Sequence, residues 1–229
     1  MRYSSGHKAE IHRRIVAEAA RQFRERGLDA VSVADVMAGA GLTHGGFYAH
    51  FDSKEALIAE ALGSQDGAVV RAHVEQAPPG RKLEALVRGY LSAAHRARRA
   101  QGCVVAALGT EAGRHSPQAR RVLAQRSRNL AALVRGALPL RPGQSAEGLA
   151  APVAACLVGG LILARLEDDP AAANRILEQC QDFVLNALAV PHDPPLPGPN
   201  AESAEQPVAE PGASAGPARP HNRRARARS

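Results

Sequence analysis

The sequence predicts an all-α protein, and three observations carry that expectation. Apolar residues recur at helical spacing from Lys8 to Val190, whereas no stretch alternates with the period of two that marks a strand. Hydrophobic residues form 45% of the 229-residue chain but aromatics only 3%, with no Trp. Ala and Leu must therefore fill most of the interior, which suits close-packed helices better than a sheet sandwich built on β-branched and aromatic side chains.

Ile11, Ile15, Ala19 and Phe23 fall four apart, flanked by charges and closed by Gly27, so the first helix is amphipathic. A second helix is expected over Ser32–Ala40, where Ser32 can cap and Asp35 lies three residues on, a short variant of the capping box. Gly41 can adopt the left-handed conformation that ends a helix, and Thr43 can cap the next one, running to His50. A fourth helix follows Ser53 with Leu57, Ile58, Ala61 and Leu62.

Gly80 precedes an amphipathic helix with Leu83, Leu86, Val87, Tyr90, Leu91 and Ala94 on one face. Cys103 to Glu111 is short and apolar, and Pro117 opens a long helix bearing Leu123, Leu130, Leu133, Val134 and Leu138. Pro139, Pro142 and Gly143 mark a turn. A largely apolar helix follows, about Ala146 to Leu166, and Pro170 opens the last one, whose stripe is Ile176, Leu177, Cys180, Phe183, Val184, Ala187 and Leu188. From Pro191 onward Pro, Gly, Ala, Ser and Glu dominate, and RRARAR closes the chain. Such a composition cannot bury enough apolar surface to order itself. The expected organisation is thus 1–52, 53–190 and a disordered tail, 191–229.

The formal net charge of +7 and pI of about 10.0 bring polyanions into consideration. The charge is uneven, however. Residues 1–62 hold eight Lys/Arg and eight Asp/Glu, whereas residues 81–141 hold thirteen Lys/Arg against Glu84 and Glu111. A solvated helix face, an anionic effector and a second contact with DNA phosphates would each fit that basic run. The three cysteines show no regular spacing, which argues against a disulfide scaffold and for a reducing cytoplasm. The N-terminus, MRYSSGHKAEIHRR, has no apolar signal core. The apolar run Leu149 to Ala164 is interrupted by Pro152 and is shorter than the ~20 residues that span a bilayer. No membrane partner is expected.

Two short helices joined by a Gly-containing turn have the form of a helix-turn-helix. Phe47 and Phe51 go to the core at i and i+4, leaving Thr43, His44, Gly46, Tyr48 and His50 outward. Hydroxyls, imidazoles and backbone N–H groups at a helix start suit phosphate. A glycine-rich nucleotide loop should follow a strand, and GAGLTHGG follows a helical pattern. A purely structural helical hairpin leaves the outward Tyr48–Ala49–His50 unexplained.

The run GLTHGGFYAHFDSKEAL resembles the DNA-binding signature of the tetracycline-repressor (TetR) family, with its Gly-hydrophobic-Ser/Thr turn, aromatic-Tyr-x-His-Phe segment and Ser-Lys-Glu. The likeness extends upstream, covering about Lys8 to Leu62. It implies a three-helix DNA-binding domain with Thr43–His50 as recognition helix, followed by a helical effector-binding and dimerisation domain. The last two long helices would form a four-helix bundle with a second subunit. Ser32 and Val33 then open the second helix near a phosphate, and Thr43, His44 and Gly45 start the recognition helix. Tyr48 and His50 match the family's backbone-contacting pair, and Lys54 its phosphate-binding Lys. Gly46 departs from the pattern, standing where many members carry Thr, Ser or Asn. The implied partners are double-stranded DNA with a near-palindromic operator, a second copy of the chain and a small-molecule effector of unknown identity.

No nucleophile–base set, metal cluster or phosphate loop points to an enzyme, and no cofactor is expected. Glu111 and His115, four apart, have no third metal ligand in sequence. Cys103 reads either as a buried structural thiol or as an oxidant sensor among arginines; Cys156 and Cys180 lie on apolar faces. Two rivals remain open: a helical small-molecule binder or enzyme without a DNA role, and a non-specific DNA binder using the Arg-rich tail.

Overall fold

A computed structural model describes residues 5–64, 68–139 and 145–188. Among them the chain forms ten α-helices and two short 3-10 helices, with no strand. The order is α1 (Ser5–Arg26), α2 (Val33–Gly39), η1 (His44–Ala49), α3 (Lys54–Gly63), α4 (Ala68–Gln76), α5 (Lys82–Tyr90), α6 (Ala93–Ala97), η2 (Arg99–Gln101), α7 (Val104–His115), α8 (Pro117–Ala137), α9 (Ala146–Leu166) and α10 (Pro170–Ala187). The Pro142–Gly143 turn and the tail beyond Pro191 lie outside the described residues.

Local chemistry explains most boundaries. Gly27, at φ +91°, ends α1 in the left-handed region, where only glycine is unstrained. Ser116 caps α8 by accepting from the Ala119 amide at 3.1 Å, with Pro117 at the first helical position. Asp169 caps α10 by accepting from the amides of Ala171 and Ala172 at 3.0 and 3.1 Å. Those hydrogen bonds hold its carboxyl below the usual carboxylate range.

Two apolar cores result. The first joins Ile15, Ala19, Phe23, Val36, Phe47 and Phe51 to Leu57, Ile58 and Leu62 of α3, and also to Leu108, Ala112 and Leu123. It therefore continues past residue 52 into α3, α7 and α8. The second packs α5, α9 and α10 around Leu86, Leu91, Leu157, Leu161, Leu177 and Leu185. Gly160 permits the close approach there: a Cβ on it would meet Cys180 Sγ at 2.9 Å and Leu91 Cδ2 at 3.1 Å.

Two expectations need correction, on Ala94 and on Phe183, and two further features of the helices bear on the reading. The helix after Gly80 ends at Tyr90, because Ser92 caps a separate helix, α6, which holds Ala94. Helix α4 has no clear sequence signal, since Val70 and Val74 make too short a stripe before Pro78. Phe183 leaves the core stripe of α10 and is 68% exposed. Helix α9 is 21 residues long and apolar enough by composition to cross a membrane; here it packs against α8 and α10 instead.

Among the described residues one carboxylate is fully buried. Glu84 on α5 sits between Arg81, at 2.7 Å, and Arg88, at 3.0 Å. Arg88 also donates to Gln181 Oε1 at 3.2 Å, and Gln181 donates to the Leu91 carbonyl at 2.9 Å. The network ties α5 to α10 and offsets the desolvation of the charge.

Candidate nucleic-acid interface

Ser32 builds the start of α2. Its hydroxyl accepts from the Asp35 amide at 3.1 Å, and its own amide donates to Asp35 Oδ2 at 2.8 Å, a reciprocal capping box. The Ser32 contacts, side chain first, hold the Asp35 carboxyl below its ordinary range. Helix α1 fixes the rest of α2. Gln22 Nε2 donates to the Asp35 carbonyl at 3.1 Å, and Arg14 donates to the Ala40 carbonyl.

The turn after α2 closes by two bonds, Leu42 N to Met37 O at 2.8 Å and Gly41 N to Ala38 O at 2.9 Å, with Gly41 at φ +68°. That pairing of a six-to-one and a five-to-two bond is a Schellman motif. It sends the chain into η1 at a fixed angle.

The element expected to be the recognition helix differs in its winding. It is a 3-10 helix, and Thr43 precedes it in extended conformation with no side-chain capping bond. Gly45 and Gly46 explain this, since each weakens an α-helix by roughly 0.5–1 kcal/mol relative to Ala. In a 3-10 helix residues three apart eclipse, so His50 follows buried Phe47 onto the inner side. His50 is half-buried, as is Gly46, and both depart from the outward placement. The His50 ring lies 5.9 Å from that of His12, and its Nδ1 is buried with no hydrogen-bond partner. Burial, then the neighbouring His12 and Lys8, push its pKa down.

Thr43, His44, Gly45 and Tyr48 are exposed on the outer side. Tyr48 is 70% exposed and packs edge-on against Phe47, ring centroids 5.3 Å apart. Phe47 stacks on Phe51 at 5.5 Å, and Phe51 on His12 at 4.5 Å. A column of rings thus braces the element against α1. Val33 is half-buried against the first core. Lys54 starts α3 and donates to the Leu28 carbonyl at 2.9 Å. Nothing in the local sequence pattern signals that His7 and Lys8 meet this site. They line an open groove of about 340 Å³ with Ile11, Thr43, Gly46 and His50, because α1 begins well before its apolar stripe.

Glu111 and His115 belong to no cluster of three metal-type ligands among the described residues. Glu111 accepts from the Leu28 amide, and His115 lies 3.1 Å from Glu55 and 3.5 Å from Asp29. Both side chains therefore join α7 to the turn between α1 and α2.

A second site opens between α4, α5, α7 and α8. It is a cavity of about 70 Å³, or about 570 Å³ with its open mouth and crevices included, lined by Tyr90, His95, Cys103, Arg126 and Leu130 among others. His95 Nδ1 lies 2.7 Å from the Tyr90 carbonyl, and the Cys103 amide donates to His95 Nε2 at 3.1 Å. A carbonyl only accepts and an amide N–H only donates, so this imidazole is neutral with its proton on Nδ1.

The comparisons with known proteins agree with this architecture. Residues 15–61 match the family model for bacterial regulatory proteins of the tetR family, and residues 79–180 match a tetracyclin repressor-like C-terminal domain. A helix-turn-helix transcriptional regulator of Mycobacterium tuberculosis is 31% identical over 189 residues, covering 76% of this chain and 94% of that protein. The transcriptional repressor KstR2 of Rhodococcus jostii is 50% identical over 44 residues, but the match spans only 19% of this chain and 22% of that protein. In three dimensions the chain is similar to a TetR-family regulator from Cytophaga hutchinsonii, with a TM-score of 0.66 at 21% identity, over 79% of this chain and 96% of the other. It is also similar to reduced NemR of E. coli, with a TM-score of 0.64 at 20% identity, over 80% and 99%.

Proposed function

The chain belongs to the TetR family of helix-turn-helix transcriptional regulators, and from that premise we propose that it is a cytoplasmic homodimeric repressor released from its operator by a small molecule. The carrying observation is the outward set Thr43, His44, Gly45 and Tyr48, held on one braced element while Phe47 and Phe51 anchor it. Ser32 and Val33 open α2 beside it, Gly46 and His50 lie on its inner side, and Lys54 starts α3 beyond it as a candidate phosphate contact. In a DNA complex the hydroxyls of Thr43 and Tyr48 and the N–H groups at the start of η1 would meet phosphates. Gly45 and Gly46 offer no side chain to read bases, so contacts weight toward backbone.

Dimerisation is supported by the outer faces of α9 and α10. Leu163, Leu166 and Phe183 are 54%, 74% and 68% exposed, and α9 adds exposed Ala151, Pro152 and Ala155. Such a patch suits a two-fold contact, which places two recognition elements on successive major grooves of a near-palindromic site. The cavity beside α7 suits the effector, which must bind the DNA-free conformation better to shift the equilibrium.

Selection of bound sequences from a random duplex pool, followed by mobility shifts, tests the reading. An inverted repeat bound by two protomers is the expected result. Binding that is indifferent to sequence would overturn it.

A further inference from the structure

Attraction to a polyanion needs cations that can turn toward it, and residues 1–62 hold only eight Lys/Arg against eight Asp/Glu. Most of these cations are already committed within the fold. Arg13 pairs with Glu10, and Arg21 with Glu18 and Glu25. Arg26 lies 3.9 Å from Asp35 and donates to the Ala30 carbonyl. Arg14, Arg24 and Lys54 donate to the carbonyls of Ala40, Ala100 and Leu28. Arg2 lies outside the described residues. Lys8 is the exception: it is exposed, and among the described residues its ammonium has no ion pair or hydrogen bond.

Helix α1 decides where that charge stands. It starts at Ser5, ahead of Ile11 and the apolar stripe, so its first turns run past the core and reach η1. Lys8 and Ile11 line the groove of about 340 Å³ whose other residues include exposed Thr43, Gly46 and His50. No carboxylate lines that groove among the described residues. The charge of Lys8 is felt there, since after burial and His12 it is a further influence opposing protonation of His50.

We propose that Lys8 is a DNA-phosphate contact, reaching from α1 to the strand that Thr43 also approaches. The assignment rests on the DNA-binding reading above and adds a contact from outside the helix-turn-helix. A compact charge on a flexible stem suits a phosphate, whose oxygens accept from many directions, better than a base edge, which demands a fixed geometry. Lys54 must leave the Leu28 carbonyl to meet DNA, whereas Lys8 gives up no internal bond.

The test uses the full chain, a duplex obtained by selection and a scrambled duplex of equal length, with affinity measured over a series of NaCl concentrations. Each protomer carries one Lys8, so Lys8→Gln removes two phosphate contacts from a dimer. The slope of log K against log [NaCl] should become shallower by about 1.8. Affinity should fall about 5- to 30-fold, the worth of two exposed charge contacts, and equally on both duplexes, because phosphates carry no sequence. Lys8→Arg should keep the wild-type slope. Lys82→Gln, at an exposed position on α5, should change neither slope nor affinity. A wild-type slope in Lys8→Gln would overturn the assignment and leave the regulator reading intact. So would a loss confined to the selected duplex, which marks a base contact, or equal losses in Lys8→Gln and Lys8→Arg, which take charge out of the cause. A wild type that binds both duplexes alike sinks the regulator reading instead, and the slope change on either duplex still decides Lys8.

Discussion

The carboxylate of Glu111 on α7 accepts a hydrogen bond from the backbone amide of Leu28, in the turn between the first two helices of the DNA-binding domain. A Cβ on the preceding Gly27 would sit 2.8 Å from the same carboxylate, so the contact needs both the glycine's left-handed backbone and its missing side chain. Cavity-lining Val104 and Val105 begin the same helix. Glu111→Ala leaves the Leu28 amide without its acceptor and should cost about 1–3 kcal/mol in urea denaturation. Glu111→Gln keeps an acceptor oxygen and should lose less. Equal stability of wild type and the alanine variant would show that the contact contributes nothing.

Glycine lowers the helical stability of η1 and, on the proposed reading, leaves room for close approach to DNA. A methyl group added to Gly45 would find nothing within 4 Å, and one added to Gly46 would meet only Met37 Cε, at 3.6 Å. Neither glycine has positive φ. Gly45→Ala and Gly46→Ala should each therefore stabilise the free protein by about 0.4–1 kcal/mol. Operator affinity should nevertheless fall for Gly45→Ala, because the added methyl stands on the exposed face. A thermal melt and a mobility shift on the same variant separate the two effects.

Acid should weaken the DNA-binding domain through His50. Burial first, then His12 and Lys8, lower its folded pKa, so the unfolded chain takes up its proton at higher pH than the folded one. The stability His50 contributes is present above about pH 6.5, the ordinary value for the unfolded imidazole, and is lost as pH falls toward the folded pKa. Melting temperature should drop between about pH 7.5 and 5.5, and His50→Gln should flatten that slope. An unchanged slope would assign the pH dependence to other groups.

Phe183→Glu tests the proposed two-fold contact. The ring is 68% exposed in one protomer, so the substitution should leave the isolated fold intact. In a dimer it places two carboxylates in an apolar patch and should cost about 2 kcal/mol or more. Sedimentation should shift toward monomer, with a parallel loss of operator affinity.

The thiol of Cys156 is pushed up to about 11, by burial first and then by the adjacent Cys180 thiol. Since the thiolate is the reactive form, Cys156 should resist iodoacetamide at about pH 8, near the ordinary thiol value. Mass spectrometry of alkylated peptides reads this directly. Fast modification at that pH would contradict the placement.

The sequence by itself determined the helical class, the span of most helices and the helix-turn-helix. Periodicity reports which face is buried, and Ser32, Gly41, Pro117 and Pro170 act on backbone within a few residues of themselves. Local signals failed where two windings compete. Gly45 and Gly46 left η1 as a 3-10 helix, and that change of period turned His50 inward. Tertiary structure alone decided relations between distant residues: Lys8 beside the recognition element, Glu111 on the Leu28 amide, and Phe183 outside the core. The inward turn of Arg126, on a helix whose other arginines face solvent, belongs with them. Spacing along a helix gives a residue's angle on that helix, but only packing of one helix on another says what that angle faces.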